Sequence, residues 1–555
     1  MIQLGISAFY HDSSACIVKD GVVLAAVEEE RFTGIKHDDS FPTQSINWLF
    51  DYCKLTLQDI DQVCWYEKPK IKQNRVYSIF NKHYFKTLWN RIKFHHRNRT
   101  EGNIPVLLLN KLGYMGPIKY TTHHKSHAAF SFYTSPYKEA VVVSIDGVGE
   151  WETVSVYHGK RNKLTRVSNS VFPNSLGMLY STITAFLGFK PNEGEYKVMG
   201  LAPYGNPNKY YDILMSVIEI LPKGNFKIQQ DYFTWEYSDK IMFNHNLCEL
   251  LQLSPRLNGQ ELTQDHKDLA AAIQRVYETV FMHILEWAKK ETGATNLCLG
   301  GGCAYNGVAN NKAYSLFDSI WIPFSPSDSG SAIGTCLNHC KKISRENTSP
   351  YLGPEIENAE LKKAIDKFKD LIKVEENISQ KIIEKAAYDI ANGFVIGWCQ
   401  GQMEFGARAL GNRSILASPK FKYMKNTLNK VIKKREGFRP FAPTCIESKA
   451  NTFFKIEEPI PYMNQVVEVR PEFNLPAITH IDGSARVQTI TKSQNSKYYN
   501  LLLKVEELTG YPIVLNTSFN FKDQTITMTA EQAIERFLDC EMHSLVINNT
   551  YITKK

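Results

Sequence analysis

The hydrophobic pattern opens with short apolar runs separated by polar, glycine-bearing loops. Residues 4–8 predict a strand, 9–13 a polar loop, 14–18 a second strand, and Asp20-Gly21 a tight turn into a third strand over 22–27. The pattern recurs as a β-branched run at 140–145, the loop Asp146-Gly147-Val148-Gly149-Glu150, a strand at 153–157, and a turn at 158–162 into another strand. Between 267 and 290, Leu269, Ala272, Ile273, Val276, Val280, Ile284, Leu285 and Ala288 recur at helical spacing and predict one long amphipathic helix. A strand at 296–299 leads into Gly300-Gly301-Gly302 and a helix over 304–313. Another at 319–324 leads into Ser325-Pro326-Ser327-Asp328-Ser329-Gly330 and a helix of small residues.

A polar, proline-containing stretch at 346–354 reads as a linker, so two domains are expected, 1–345 and 355–555. The second carries a helix at 382–391, a strand at 394–398, an extended segment at 513–516 and a last helix at 530–538. A repeated hairpin whose first loop is polar and acidic resembles the duplicated actin-like (ASKHA) nucleotide fold, in which two such loops grip phosphates across a cleft. The expected class is therefore α/β. Strand, glycine turn and helix suit the same purpose, because amides at a helix start point at an anion.

Composition adds limits. With 43% hydrophobic, 22% charged and 12% aromatic residues, the 555-residue chain falls outside the disordered, collagen-like and coiled-coil classes. Eleven scattered cysteines read as buried small side chains in a reducing compartment, with no zinc-ribbon spacing. The N-terminus shows no signal-peptide pattern and no apolar run is long enough to span a bilayer, so a cytoplasmic protein is expected. The net charge of +8 is localised: ten basic and no acidic residues lie between Lys68 and Arg99, interleaved with Tyr77, Phe80, Tyr84, Phe85, Trp89 and Phe94. That stretch is a candidate contact surface for an anionic lipid or glycan carrier or a partner; the plain alternative is a solvated helical insertion.

Several constellations carry chemistry. His123 and His127 stand four apart, so on a helix both imidazoles leave one face. With Asp146 and Asp328 in loops expected at the same cleft they form a mixed N/O donor set suited to Fe(II), Mn(II) or Zn(II); the alternative is a pair of surface or capping histidines. His11, beside Asp12 in the first hairpin loop, is a candidate general base, or a loop histidine that caps backbone. Lys197, in the glycine-rich run 192–205, is placed to reach a phosphate or carbonyl or to stand in solvent. In the second domain Arg408, Lys433, Arg435, Arg439 and Arg486 sit among apolar and glycine residues, and Asn516 and Ser518 follow a strand. A guanidinium in such a context needs an anion, either a bound phosphate or carboxylate or a structural acid.

Taken in order, Gly5 to Ala15, His123 to His127, Glu195 to Ala202, Gly300-Gly301-Gly302 with Asn306, Glu404 to Ser414, Phe438 to Pro443, Ala485 to Thr489 and Asn516 to Asn520 resemble the NodU/CmcH-type O-carbamoyltransferases along nearly the whole chain. The resemblance implies an actin-like transfer domain followed by a YrdC-like α/β domain. The second would make carbamoyl-adenylate from carbamoyl phosphate and ATP with Mg(II), and the first would transfer the carbamoyl group to a hydroxyl of a small-molecule, natural-product or glycan acceptor. It implies that His123, His127, Asp146 and Asp328 hold Fe(II) or another divalent metal, and that Gly301, Gly302 and Asn306 hold the adenylate. Arg408, Lys433, Arg439, Arg486, Asn516 and Ser518 would bind carbamoyl phosphate and ATP, with His11, Asp12 and Lys197 near the reacting groups. No nucleic-acid partner is expected, and a homodimer is allowed. The rival readings are an ASKHA kinase or ATPase, a threonylcarbamoyl-type tRNA-modifying enzyme, which would bind RNA in a salt-sensitive way, and a nucleotide-regulated scaffold.

Overall fold

The computed structural model describes residues 1–87, 90–95, 102–238, 241–345, 348–376 and 378–555. Trp89, Arg97 and Arg99 of the basic stretch, and residues 346 and 347 of the expected linker, lie outside these. The chain divides into two compact units: residues 1–25 with 39–348, and residues 26–38 with 349–555. No helix among the described residues is long and apolar enough to cross a membrane.

The first unit repeats one sheet plan. The first sheet runs in the order Val22–Glu28, Ser14–Lys19, Ile2–Ser7, Gln62–Trp65, Ile118–Tyr120, and the second in the order Lys163–Val171, Glu152–Lys160, Glu139–Ile145, Asn296–Gly300, Ser319–Trp321. In each, the leading strand pairs antiparallel with its hairpin partner, Ile2 opposite Lys19 and Glu139 opposite Lys160. On its other side it pairs parallel, Gln3 with Gln62 and Val141 with Leu297. This is the duplicated α/β arrangement expected from the hairpin repeat. The strand expected at 319–324 stops at Trp321. The long helix runs Gln264–Thr292, started by the Thr263 side chain accepting from His266 N–H and ended at Gly293. All eight of its apolar positions named above are fully buried.

Helix His123–Tyr133 packs on strands Glu139–Ile145 and Asn296–Gly300, helix Asp328–Asn338 packs on strands Ile2–Ser7 and Ser14–Lys19, and the two helices pack on each other. Small residues allow that approach: a Cβ at Gly334 would lie 1.9 Å from the Ser126 carbonyl oxygen. The first turns of both helices, which carry the histidines and Asp328, are thereby brought together.

In the second unit an eight-stranded mixed sheet runs in the order Ile372–Glu376, Thr550–Lys554, Ser544–Ile547, Ile396–Cys399, Arg413–Ala417, Ile513–Ser518, Ala442–Ile446, Gln488–Ile490. Helices Ser379–Ala391 and Ser496–Thr509 pack together, contributing Ile382, Leu501 and Leu502 to a core with Trp398 and Val514. Residues 26–38 belong here because Glu28 Oε1 accepts from Gly406 N–H at 2.6 Å and Arg31 Nη2 donates to Gly406 O at 2.9 Å. The expected linker is partly structured: Tyr351–Glu355 is a strand pairing with Gln402–Glu404 through an irregular register. Pro354 is tolerated there because the pair stands alone, so no ladder bond is lost. Arg413 is structural, its guanidinium donating to the carbonyls of Gln400, Gly401, Asn412 and Pro354.

Candidate active site

The first helical turns place His123 Nε2 and His127 Nε2 3.1 Å apart. Asp146 Oδ2 lies 3.4 Å from the first and 3.1 Å from the second, and Asp328 Oδ1 lies 3.5 and 3.4 Å from them. One ligand atom from each of the four residues falls within a 4.8 Å sphere of mutual distances. Helix geometry sets the histidines, the strand end at Ile145 sets Asp146, and the start of helix Asp328–Asn338 sets Asp328. Neighbours fix each ligand in turn. Ser331 Oγ lies 3.1 Å from His127 Nδ1, Gly147 N–H donates to Asp146 Oδ1, and the buried Glu150 carboxylate accepts from the His123 N–H.

Two observations test whether this group fits a metal. Two imidazole nitrogens face the same point together with two carboxylates, which is a coordination set and an awkward hydrogen-bond set, because each nitrogen aims at the other. Asp328 Oδ2, fully buried, finds no hydrogen-bond donor among the described residues. The residues fit a divalent cation.

Burial opposes charge on His127, yet hydrogen bonds to Asp146 and Asp328 outweigh it and push its pKa up to about 9. Burial likewise opposes the carboxylate of Asp146, and the two histidines overcome it and hold it well below the usual range. The metal-free site therefore stores a proton at neutral pH. Because the His127 pKa is raised from 6.5 to about 9, its pairing stabilises the metal-free protein fully below the lower value and is lost through the upper one. A cation must displace that proton, so Mn(II) binding is expected to release protons at neutral pH and to tighten as pH rises toward about 9. Calorimetry in buffers of different ionisation heat checks this, and an affinity that is flat across the interval contradicts it.

His11 Nδ1 lies 2.8 Å from Asp12 Oδ2. Burial works against its charge, but Asp12, then Asp328 and Asp146, raise its pKa to about 9. These neighbours favour the imidazolium, so His11 serves as the general base expected from the sequence in its deprotonated form. Lys197, on helix Glu195–Leu201, holds its Nζ 5.5 Å from the centre of the Phe189 ring.

Gly301 is required by its backbone: at φ +85°, a Cβ would lie 2.2 Å from the Ile145 carbonyl oxygen. Gly302 abuts Asp146, with a would-be Cβ 3.3 Å from Oδ1. Asn306 also has a structural part. Its side chain caps helix Gly307–Lys312 through Ala309 N–H, and both ends of its amide are engaged by Gln274 at 3.0 and 3.1 Å.

In the second unit, the sheet sets Ser518 opposite Ser414 and Asn516 opposite both Leu416 and Ala442. Lys433 is 3% exposed and donates to Ser518 O, Asn520 O and Asn520 Oδ1 at 2.6, 2.6 and 2.8 Å, with no ion pair among the described residues. Burial first, then the charges of Arg435 and Arg439, hold its pKa well below the ordinary lysine value. Asn516 Nδ2 donates to Ala409 O, Thr444 Oγ1 and Gln488 Oε1, while its Oδ1 is buried without a donor among the described residues. Arg439 Nη1 lies 3.5 Å from Glu436 Oε2, and Arg435 is turned inward to Asn429 and the Phe441 ring. Arg408, beside the carbonyl that Asn516 bonds, and Arg486, at the end of strand Ser484–Arg486, are half-buried. Sequence reasoning missed Asn520, Glu150 and Ser331 as supporting groups; the first two stood inside motifs already singled out.

The first unit thus carries a two-histidine, two-aspartate donor group, and the second buries a lysine that makes no ion pair among the described residues. The chain belongs to the carbamoyltransferase family: residues 2–337 match the carbamoyltransferase N-terminus and residues 387–554 the carbamoyltransferase C-terminus. It is therefore an enzyme of carbamoyl transfer. Nodulation protein NolNO of Sinorhizobium fredii is 34% identical across 99% of this chain and 80% of that protein. Nodulation protein NolO of Bradyrhizobium diazoefficiens is 35% identical across 78% of this chain and 79% of its own. The Synechocystis protein sll1178, uncharacterised, is 38% identical across 99% of this chain and 96% of that protein. A ROK hexokinase structure from Thermus thermophilus overlays at TM-score 0.30 and 9% identity, covering 61% of this chain and 98% of that one, a likeness too weak to bear on function.

Proposed function

We propose that this carbamoyltransferase first activates its donor with ATP and then carbamoylates an acceptor hydroxyl. The observation that carries the reading is Lys433, buried with neutral oxygens, depressed in pKa and facing no counter-ion among the described residues. An anionic substrate supplies the missing charge. In the second unit, water converts carbamoyl phosphate to carbamate and phosphate. Carbamate oxygen then attacks the α-phosphorus of ATP, forming carbamoyl-adenylate and expelling pyrophosphate. Lys433, Arg408, Arg439 and Arg486 neutralise the phosphates, and the unfilled Asn516 Oδ1 accepts from the carbamoyl NH₂.

Transfer follows in the first unit. The acceptor hydroxyl oxygen attacks the carbamoyl carbon, its proton goes to His11, and AMP leaves. Gly301 and Gly302 give the adenylate room beside Asp146. His123, His127, Asp146 and Asp328 would hold the divalent metal, which when bound supplies a Lewis acid for the developing oxyanion. Asp12 keeps the His11 ring oriented and stabilises the imidazolium formed on proton transfer.

Pyrophosphate release tests the activation step. It is expected only when ATP and carbamoyl phosphate are both present, with AMP as the nucleotide product. Formation of ADP independent of carbamoyl phosphate would instead identify a kinase or ATPase.

A further inference from the structure

Arg75 stands in the basic stretch, on helix Pro69–Lys82, yet it is 7% exposed. A guanidinium at that depth ordinarily makes several hydrogen bonds, as the two Nη atoms of Arg413 do to four carbonyls. Arg75 makes no hydrogen bond or ion pair among the described residues, and its Nε is buried without a partner. Glu67 and Glu150, the carboxylates whose charge it feels, are committed elsewhere. Glu67 holds Lys72 at 3.1 Å, and Glu150 accepts from the backbone of Lys68 and His123.

What surrounds Arg75 leads to the metal group. Its Cζ lies 5.5 Å from the Phe172 ring centre, and its charge acts on Tyr10. The Tyr10 ring meets His123 edge-on at 6.2 Å, has Lys72 Nζ 5.4 Å from its centre, and turns its hydroxyl toward Gly147, next to Asp146. The glycine pair Gly301-Gly302 borders Asp146, whereas the Tyr10 ring, on which the charge of Arg75 acts, meets His123. The geometry points to Arg75 as a specificity residue of the transfer site that binds an oxyanion, phosphate or carboxylate, carried by the acceptor. This rests on reading the His–Asp group as the place of carbamoyl transfer. The acceptor is then an anionic hydroxy compound.

A ligand-binding arginine and a packing arginine behave oppositely when replaced. Burying an unpaired charge costs stability that only the ligand returns. The test uses full-length Lys433→Met/Arg439→Met protein, to disable the anion site of the second unit, with and without Arg75→Met or Arg75→Lys. Arg75→Met is expected to raise Tm by about 2 °C without ligand and to abolish the Tm rise given by inorganic phosphate or acetate. Arg75→Lys keeps a reduced rise, and the rise given by AMP persists in Arg75→Met. A lower Tm with an unchanged phosphate response would make Arg75 structural. A parent protein with no Arg75-dependent response to either anion overturns the site. Loss of the AMP response would assign the anion to the nucleotide and overturn the acceptor assignment. None of these readouts needs turnover, so failure of the carbamoyl-transfer reading would leave the phosphate response in place.

Discussion

Asp328→Asn is expected to lower carbamoyl transfer by roughly 10²–10³-fold while leaving carbamoyl-phosphate-dependent pyrophosphate release at its wild-type rate. The substitution keeps the shape of the side chain and removes one of the two carboxylates that offset His123 and His127. It also places an amide where Asp328 Oδ2 lacks a donor, so packing is preserved and affinity for a divalent cation is not. Metal content measured after dialysis should fall in parallel with transfer. The His127 pKa should fall as well, because Asp328 is one of the groups raising it. Equal loss of both half-reactions would mean that the His–Asp group serves the whole fold and has no separate transfer role.

Lys433→Met is expected to produce the complementary defect, a loss of pyrophosphate release of about 10²–10³-fold with metal binding intact. Transfer from carbamoyl-adenylate supplied directly should survive. Lys433→Arg should not rescue it. The Nζ already lies 2.6 Å from the carbonyls of Ser518 and Asn520, and a planar guanidinium does not fit between them. A rescued arginine variant would show that charge alone matters there, against a shaped anion pocket.

The grouping of His123, His127, Asp146 and Asp328 was legible before the fold because each sits at a predictable element boundary. His123 and His127 share a helix face, Asp146 ends a strand, and Asp328 opens a small-residue helix. The long helix was legible for a similar reason, since its apolar period is unbroken. What escaped the sequence depends on distant partners. The resemblance placed Asn306 at the adenylate, but not its partner Gln274, thirty-two residues upstream on the long helix, which engages both ends of its amide. For His11 only half of the cause was visible: its neighbour Asp12 raises its pKa most, and Asp328 and Asp146, which add to it, come from distant parts of the chain. The strand Tyr351–Glu355 was hidden by prolines that a two-stranded pair tolerates. Arg75 was indistinguishable from its solvated neighbours because Phe172, nearly a hundred residues later, is what encloses it.

The central claim, carbamoylation of an acceptor hydroxyl at the cost of ATP, is tested most directly by mass spectrometry of metabolite and glycan extracts given the enzyme, ATP, a divalent metal and carbamoyl phosphate labelled at carbon. The account predicts an anionic hydroxy compound that gains one labelled carbamoyl group in place of a hydrogen, with AMP and pyrophosphate formed in step. Gain of a phosphoryl group from ATP without carbamoyl phosphate would contradict it.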